Sequence, residues 1–207
     1  ALLTRLSLKR GVFPTTYGEA TVKPLLKAGK KPTEASSYRP VSLLRVSSKL
    51  LEMAALDQIA AFFKSMVKHP IPEQQHGFTG GRSTTTALAA AHASWLEATN
   101  KRRKKMLAIV AMDLSAAFDT ITKEEVVKEF QALGFGQTAL DWIRSYMSSG
   151  MRTITWNGAA STKRAVKYGV PQGSILAPLV FLIVTRDFPA LFEYSIAYAD
   201  DFTFWVD

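Results

Sequence analysis

Two apolar segments, 195–198 and 202–206, are separated by a short turn that contains the adjacent aspartates Asp200 and Asp201. Short apolar runs joined in this way predict a β-hairpin. Two carboxylates about 4 Å apart repel by roughly 4 kcal/mol at an effective dielectric near 20, and the hairpin has no basic residue to offset this. Asp is common in turns, so a purely structural turn is the alternative. A bound cation would explain the pair, and Mg²⁺ suits hard oxygen ligands.

A third aspartate, Asp113, ends the apolar run 106–112, which predicts a buried strand. Because Asp113 is far from Asp200 in sequence, only the fold can bring the two together. If their strands are neighbours in a sheet, three carboxylates converge at one sheet end. Such a group suits two metal ions roughly 3.5–4 Å apart in phosphoryl transfer. The alternative for Asp113 alone is a cap of the following helix.

The rest of the chain alternates helical patterns with turns. We expect loops and a short extended piece (20–26) in the first 41 residues, a hairpin at 157–158, and helices over 47–68, 83–100, 122–134, 138–149 and 173–184. Thr122 and Glu125 form the pattern of a capping box, and Ser83 is a candidate helix cap. Helices mixed with hairpins predict an α+β fold with an antiparallel sheet packed on helices.

Charge is distributed unevenly along the chain. Residues 1–105 contain 18 Lys and Arg against 6 Asp and Glu, a net charge of +12, whereas residues 106–207 contain 8 against 11, a net charge of −3. A basic half beside an acidic half suggests a polyanion-binding surface next to a carboxylate site, and a solvated basic face is the alternative. The absence of cysteine excludes disulfides and thiolate metal sites. No apolar run is long enough to predict a membrane span.

Six segments resemble the motifs of reverse transcriptases from non-LTR (LINE-type) retrotransposons, in the family's order. They are KPLLKAGK (23–30), YRPVSLL (38–44), QHGF with GRST (75–78 and 81–84), DLSAAFD (113–119), GVPQGS (169–174) and YADD (198–201). The resemblance runs from about residue 15 to the end of the chain. It implies the fingers and palm of a right-hand polymerase fold, which is the α+β class expected from the pattern.

The resemblance also implies the roles of the acidic residues. Asp113 and Asp200 would bind two Mg²⁺ ions directly, with Mn²⁺ as a possible substitute, and Asp201 would support them or the primer end. Phe118 matches the aromatic gate that excludes a ribose 2′-hydroxyl, and a core phenylalanine is the alternative for this position. Deoxynucleoside triphosphates would be the substrates.

Further residues match positions that contact nucleotide or nucleic acid in the family. Arg39 matches a triphosphate-binding arginine, and its planar guanidinium suits phosphate oxygens; Lys27 is a second candidate. The other implied nucleotide contacts are Gln172, Gly173 and Tyr198, and the implied nucleic-acid contacts are Gly169, Pro171, Arg82 and Ser83.

The resemblance implies a fingers subdomain over 1–105 and a palm over 106–207, with a fingers contribution near 137–170. An RNA template and a DNA primer would be the partners, no membrane is involved, and the nucleus would be the site of integration. The thumb and other parts of a longer polyprotein would be missing after Asp207, so we expect weak or no extension by this chain alone.

The predicted function is that of an RNA-directed DNA polymerase. One alternative is a non-catalytic nucleic-acid-binding remnant of a decayed or repurposed element, against which the three intact aspartates argue. The other is an RNA-dependent RNA polymerase, against which the bulky Phe118 argues.

Overall fold

The computed structural model of the chain describes residues 2–101, 107–114, 117–170 and 173–206. Helices and two separate sheets make up the described part, which confirms the predicted α+β class. The chain divides into two compact units, Ala1–Ser65 with Phe118–Val180 (unit 1) and Met66–Ala117 with Phe181–Asp207 (unit 2). The fingers and palm assignments by residue range stay predictions.

The helices of the described residues are α1 (Leu2–Arg10), α2 (Val46–Ser65), α3 (Thr84–Lys101), α4 (Ala117–Thr120), α5 (Lys123–Ala132), α6 (Gln137–Ser148) and α7 (Ala177–Val184). The strands are β1 (Glu19–Leu26), β2 (Tyr38–Leu44), β3 (Ala108–Asp113), β4 (Met151–Trp156), β5 (Ala159–Ala160), β6 (Arg164–Ala165), β7 (Tyr194–Tyr198) and β8 (Asp201–Val206). Short 3₁₀ turns lie at Thr15–Tyr17, Ala35–Ser37 and Pro189–Leu191.

The sheet of unit 1 has the order β2-β1-β4-β5, with β6 also paired to β4. Strands β1 and β2 are antiparallel, but β1 and β4 run parallel, a pairing that the sequence pattern did not predict. The predicted hairpin at 157–158 is confirmed between β4 and β5. Asn157 (φ 47°) and Gly158 (φ 82°) both take left-handed backbone angles, as a tight two-residue hairpin turn requires.

The helical part of unit 1 packs around aromatic side chains. Phe13 meets Trp142 and Tyr146 edge to face, with ring centroids 5.5 and 5.3 Å away. The prediction of loops at the start of the chain is wrong for α1, whose Ser7 hydroxyl accepts a hydrogen bond from the Trp142 indole N–H (3.0 Å). Helix α1 is therefore stabilised by a tertiary contact with α6, and no local sequence pattern predicts that contact.

Helix ends follow local chemistry where capping residues are present. The predicted capping box of α5 is confirmed: the Thr122 hydroxyl accepts from the Glu125 N–H, and the Glu125 carboxylate accepts from the Thr122 N–H. Helix α7 begins at Ala177 rather than at 173, because Ser174 caps its first N–H groups. Helix α2 ends at Ser65, slightly before the predicted limit.

Unit 2 has a three-stranded antiparallel sheet with β8 between β3 and β7. Helix α3 packs on one face through Trp95, whose ring lies 5.8 Å from that of Trp205. On the other face Phe188 contacts Phe202 and Phe192 stacks on Phe204. No helix among the described residues is both long and apolar enough to cross a membrane.

Strand β3 is present as predicted, but it is not buried. Ile109 and Val110 keep 46% and 45% of their surface exposed. The strand lies at the edge of the sheet, paired to β8 on one side, while α3 packs against the β7 side. An apolar run identifies a strand, but burial depends on which elements pack against it.

Candidate active site

The three predicted metal ligands lie at one end of the sheet in unit 2. Asp113, the last residue of β3, is directly opposite Asp201, the first residue of β8. Asp200 is in the turn between β7 and β8, and its carbonyl accepts a hydrogen bond from the Leu114 N–H (3.2 Å). The strand of Asp113 and the aspartate hairpin are therefore sheet neighbours, which meets the condition set in the sequence analysis.

The register also shows which aspartates share a face. Residues directly opposite each other in an antiparallel pair project to the same side of the sheet, so Asp113 and Asp201 form a same-face pair. Both are exposed, whereas Asp200 is half-buried in the turn. Within the described part of the chain none of the three carboxylates has an ion-pair partner.

The side chains are less convergent than the backbone. Within the described ranges no three His, Asp or Glu side chains are arranged to hold a metal ion. The backbone register brings the aspartates together, and their role as metal ligands stays a prediction. Tyr198, opposite Asp201 on β7, is exposed beside them, and its nucleotide contact also stays a prediction.

The aspartate turn is held by a segment far from it in sequence. Ala199, just before Asp200, has a left-handed φ of 57°, which is uncommon for a residue with a Cβ atom. The buried amide of Gln75 accepts a hydrogen bond from the Ala199 N–H (2.9 Å) and donates one to the Ala199 carbonyl (3.3 Å). Sequence reasoning included Gln75 in a family motif but gave it no role.

The backbone around Gln75 lies directly against β7. The Ala197 N–H donates to the Gln74 carbonyl, and the His76 N–H donates to the Ala197 carbonyl, both at 2.8 Å. Gly77 is so close to the turn that a Cβ atom there would lie 2.2 Å from the Ala199 nitrogen. Burial, with the nearby Arg82 guanidinium, holds the pKa of His76 below its ordinary value.

Two predicted nucleic-acid contacts have structural partners in unit 2. The Arg82 guanidinium donates to the carbonyls of Pro72 (3.0 Å) and Gln75 (2.6 Å), and thereby braces the loop that carries Gln75. The Ser83 hydroxyl accepts from the Thr86 N–H (3.2 Å), which confirms Ser83 as the cap of α3. Contact of either residue with nucleic acid stays a prediction.

The described residues of the segment 169–174 lie in unit 1, where Gly169 and Val170 contact α4 or the residue after it and Gly173 contacts β2. The Gly169 N–H donates to the Ile121 carbonyl (2.7 Å), and the Val170 N–H donates to the Phe118 carbonyl (2.9 Å). Gly173 has a φ of 98°, and a Cβ atom there would lie 2.8 Å from the Ser42 carbonyl oxygen. The predicted contacts Pro171 and Gln172 lie outside the described residues.

A buried carboxylate that the sequence analysis missed holds the same segment. Glu52, on α2, is only 1% exposed, and its carboxylate accepts from the hydroxyl of Ser174 (2.5 Å) and the N–H of Ile175 (2.8 Å). The Ser48 hydroxyl donates to its other oxygen (2.7 Å). The signal that could have identified Glu52 is a charged residue at an apolar position of the α2 pattern.

That carboxylate also belongs to a hydroxyl network. The hydroxyl oxygens of Tyr146 and Ser174 are 2.6 Å apart. Burial, together with the negative charge of Glu52, raises the pKa of the Tyr146 hydroxyl well above its ordinary value. The network fixes the backbone just after Gly173 through side chains rather than through sheet pairing.

The predicted nucleotide-binding side chains of unit 1 differ in their exposure and in the hydrogen bonds that they make within the protein. Arg39 is exposed on β2, opposite Leu25 of β1. The Lys27 ammonium donates to the Ser36 carbonyl (3.0 Å), so it would have to leave that carbonyl to bind a phosphate. Phe118 is half-buried on α4. Their contacts with nucleotide stay predictions.

Comparisons with known proteins find reverse transcriptases and polyproteins of mobile elements. Residues 28–207 match the family model described as reverse transcriptase (RNA-dependent DNA polymerase). An RNA-directed DNA polymerase from the mobile element jockey of Drosophila funebris is 31% identical over 182 residues, which cover 88% of this chain and 19% of that protein. A Pol polyprotein from the type-1 retrotransposable element R2 of Popillia japonica is 23% identical over 178 residues, covering 86% of this chain and 24% of the relative.

Solved structures show the same fold at low sequence identity. The apo telomerase of Candida tropicalis, truncated from its C-terminal domain, matches 99% of this chain and 48% of its own with a TM-score of 0.65 and 12% identity. Telomerase from Candida albicans, solved with a TWJ fragment of telomeric RNA, matches 91% of this chain with a TM-score of 0.64. The chain spans about a fifth to a quarter of the length of the curated relatives.

Proposed function

On the premise that the chain belongs to the reverse transcriptase family, we propose that it adds deoxynucleotides to a primer 3′-end on an RNA template, by two-metal phosphoryl transfer in retrotransposition. An RNA template and a DNA primer are the proposed partners, and integration would place the protein in the nucleus. The observation that carries the proposal is the register that puts Asp113 opposite Asp201 and beside Asp200, in a chain that matches this family.

The aspartates fit a divalent cation by their chemistry. The backbone places three aspartates at one sheet end, and within the described residues none is paired with a basic side chain. Uncompensated like charges favour a bound cation, and oxygen donors suit Mg²⁺. Asp113 and Asp200 would hold two Mg²⁺ ions, supported by Asp201, and the metal would supply activation of the primer hydroxyl and stabilisation of the leaving oxygen.

Other residues would bind the substrate, because carboxylates alone repel a triphosphate. Arg39 has an exposed guanidinium for the phosphate oxygens, with Lys27 as a second cation. Phe118 would exclude a 2′-hydroxyl, while Gln172, Gly173 and Tyr198 would contact the incoming nucleotide or the template base. Gly169, Pro171, Arg82 and Ser83 would position the nucleic acid.

The test is single-nucleotide addition to a labelled DNA primer on an RNA template, with the 207-residue chain and its variants Asp113→Asn and Asp200→Asn. Because an amide is a poorer metal ligand than a carboxylate, each variant should lose more than about 100-fold in rate, beyond the loss typical of outer-sphere residues. Binding of the template–primer should persist, since basic residues dominate it.

The matched control is Asp187→Asn in the same unit, because the Asp187 side chain is 86% exposed and outside the aspartate cluster. This variant should keep the rate of the unmodified chain. Retained addition by Asp200→Asn would show that the metal site is assigned wrongly. Because weak or no extension is expected of this chain alone, the assay is repeated with a longer chain that includes the thumb segment. Tight nucleic-acid binding without any addition by that unmodified longer chain would favour a non-catalytic binding protein.

A further inference from the structure

We propose that Gln75 is a positioning residue for the aspartate turn: its side chain sets the backbone conformation of Ala199 and thereby the direction of the Asp200 carboxylate. The proposal rests on the proposed role of Asp200 as a metal ligand. It predicts that metal affinity and the rate of nucleotide addition depend on a side chain that touches neither metal nor substrate.

One side-chain amide bonds both backbone polar groups of Ala199 in the turn. The Gln75 carbonyl oxygen accepts from the N–H groups of Ala199 (2.9 Å) and Gly77 (2.8 Å), and its NH₂ group donates to the Ala199 carbonyl (3.3 Å). Gln75 is 3% exposed, so water cannot replace these bonds. The side chain therefore holds both backbone polar groups of the one residue that precedes Asp200.

Ala199 needs such support because of its backbone angles. Its φ of 57° lies in the left-handed region, where the Cβ atom crowds the backbone of an L-residue. Without the amide of Gln75, rotation toward ordinary angles would relieve the crowding. That rotation would also turn the peptide joining Ala199 to Asp200 and redirect the Asp200 side chain.

Gln75 is itself anchored against the hairpin. Hydrogen bonds from both neighbours, Gln74 and His76, join its backbone to Ala197 of β7, three residues before Asp200. Gly77 packs directly against the turn, and any larger residue at this position would collide with the Ala199 nitrogen. The anchor leaves the amide little freedom, as expected for a group that fixes the geometry of a neighbouring ligand.

The experiment compares the 207-residue chain with Gln75→Met, which keeps the length but removes the amide, and Gln75→Asn, which keeps the amide but is too short to reach both groups. Binding of Mn²⁺ is titrated by electron paramagnetic resonance without nucleotide, and kcat and KM are measured for single-nucleotide addition. Loss of outer-sphere support should weaken Mn²⁺ binding about 10-fold or more and lower kcat by about 10–100-fold. The KM for the nucleotide should change little.

The control for a purely structural role is Ser195→Ala on β7, which removes the hydrogen bond from Ser195 to the Pro189 carbonyl (2.8 Å) in the same unit. It should lower the melting temperature and leave Mn²⁺ affinity unchanged.

Gln75 variants that lose stability but keep both Mn²⁺ affinity and kcat would overturn the proposal. If Gln75→Met does not fold, the Mn²⁺ affinity and kcat of Gln75→Asn distinguish a positioning role from a purely structural one. An unmodified chain that neither binds Mn²⁺ nor adds nucleotides would instead overturn the proposed function, and this inference with it.

Discussion

Phe118 shows how one side chain can have either a packing or a selective role. It is half-buried on the short helix α4, and its carbonyl accepts a hydrogen bond from Val170 of the segment that carries Gly173. Part of the surface of Phe118 is exposed, where a substrate could contact it, and the rest is buried. Burial alone is therefore compatible with both the gate and the core interpretation.

We expect Phe118→Val to raise the incorporation of ribonucleotides relative to deoxyribonucleotides by at least about 10-fold, because a smaller side chain removes a clash with the 2′-hydroxyl. The measurement is the ratio of kcat/KM for the two nucleotide types. The matched control is Phe62→Val, at a partly exposed ring in unit 1 that packs on Phe135 with centroids 4.7 Å apart. Equal sugar selectivity in both variants would assign Phe118 to packing.

At the scale of elements, the loop that begins at Gly169 and leads into α7 packs closely against the backbone of α4. Gly169 has a φ of 83°, and a Cβ atom there would lie 2.7 Å from the Asp119 Cα atom. Its N–H bonds the backbone at the end of α4, and Glu52 holds the far side of the loop through Ser174. Contacts therefore fix the loop at Gly169 and at Ser174. At Gly169 these contacts leave no room for a Cβ atom.

We expect Gly169→Ala to reduce the free energy of unfolding by more than Gly134→Ala. Gly134 has nearly the same φ, 85°, but open space around its Cα atom, so its substitution measures backbone strain alone, about 1–3 kcal/mol. Gly169→Ala adds a collision with backbone atoms to that strain. Urea unfolding of both variants is the measurement, and equal losses would show that the loop yields without penalty.

At the scale of the whole molecule, the charge distribution predicts how nucleic acid binds. The basic half carries a net charge of +12, and Lys23, Lys30 and Lys31 are exposed within it. Lysines that neutralise phosphates release condensed counterions, so the binding constant falls as salt rises. The acidic half should contribute little to this dependence.

We expect binding of an RNA–DNA duplex to weaken steeply between 50 and 200 mM salt, by roughly 100-fold if about four phosphates are contacted. Replacing Lys23, Lys30 and Lys31 by Gln should reduce the slope of log K against log salt by about 1 for each phosphate that is no longer neutralised. The control replaces Lys123 and Lys128 of α5 by Gln and should leave the slope unchanged. Fluorescence anisotropy measures the binding constant, and equal slopes in both variants would contradict a binding surface formed by the basic half of the chain.

Local chemistry was enough to determine several features of this protein. The apolar runs around Asp200 and Asp201 predicted the hairpin, Thr122 and Glu125 predicted the start of α5, and Asn157 with Gly158 predicted a turn. Each of these depends on residues within a few positions of one another, where hydrogen-bonding and steric preferences act directly. Each family motif is likewise a local pattern, and the six motifs in the family's order identified the family.

Only the tertiary structure decided which distant segments meet. The Gln75 amide bonds a residue 124 positions away, and Glu52 bonds Ser174 across 122 positions. The parallel pairing of β1 with β4 and the exposure of β3 likewise depend on the packing of whole elements. Sequence periodicity encodes the type of an element but not its partner, because the partner is selected by the total burial and hydrogen bonding that offset the entropy of closing a long loop.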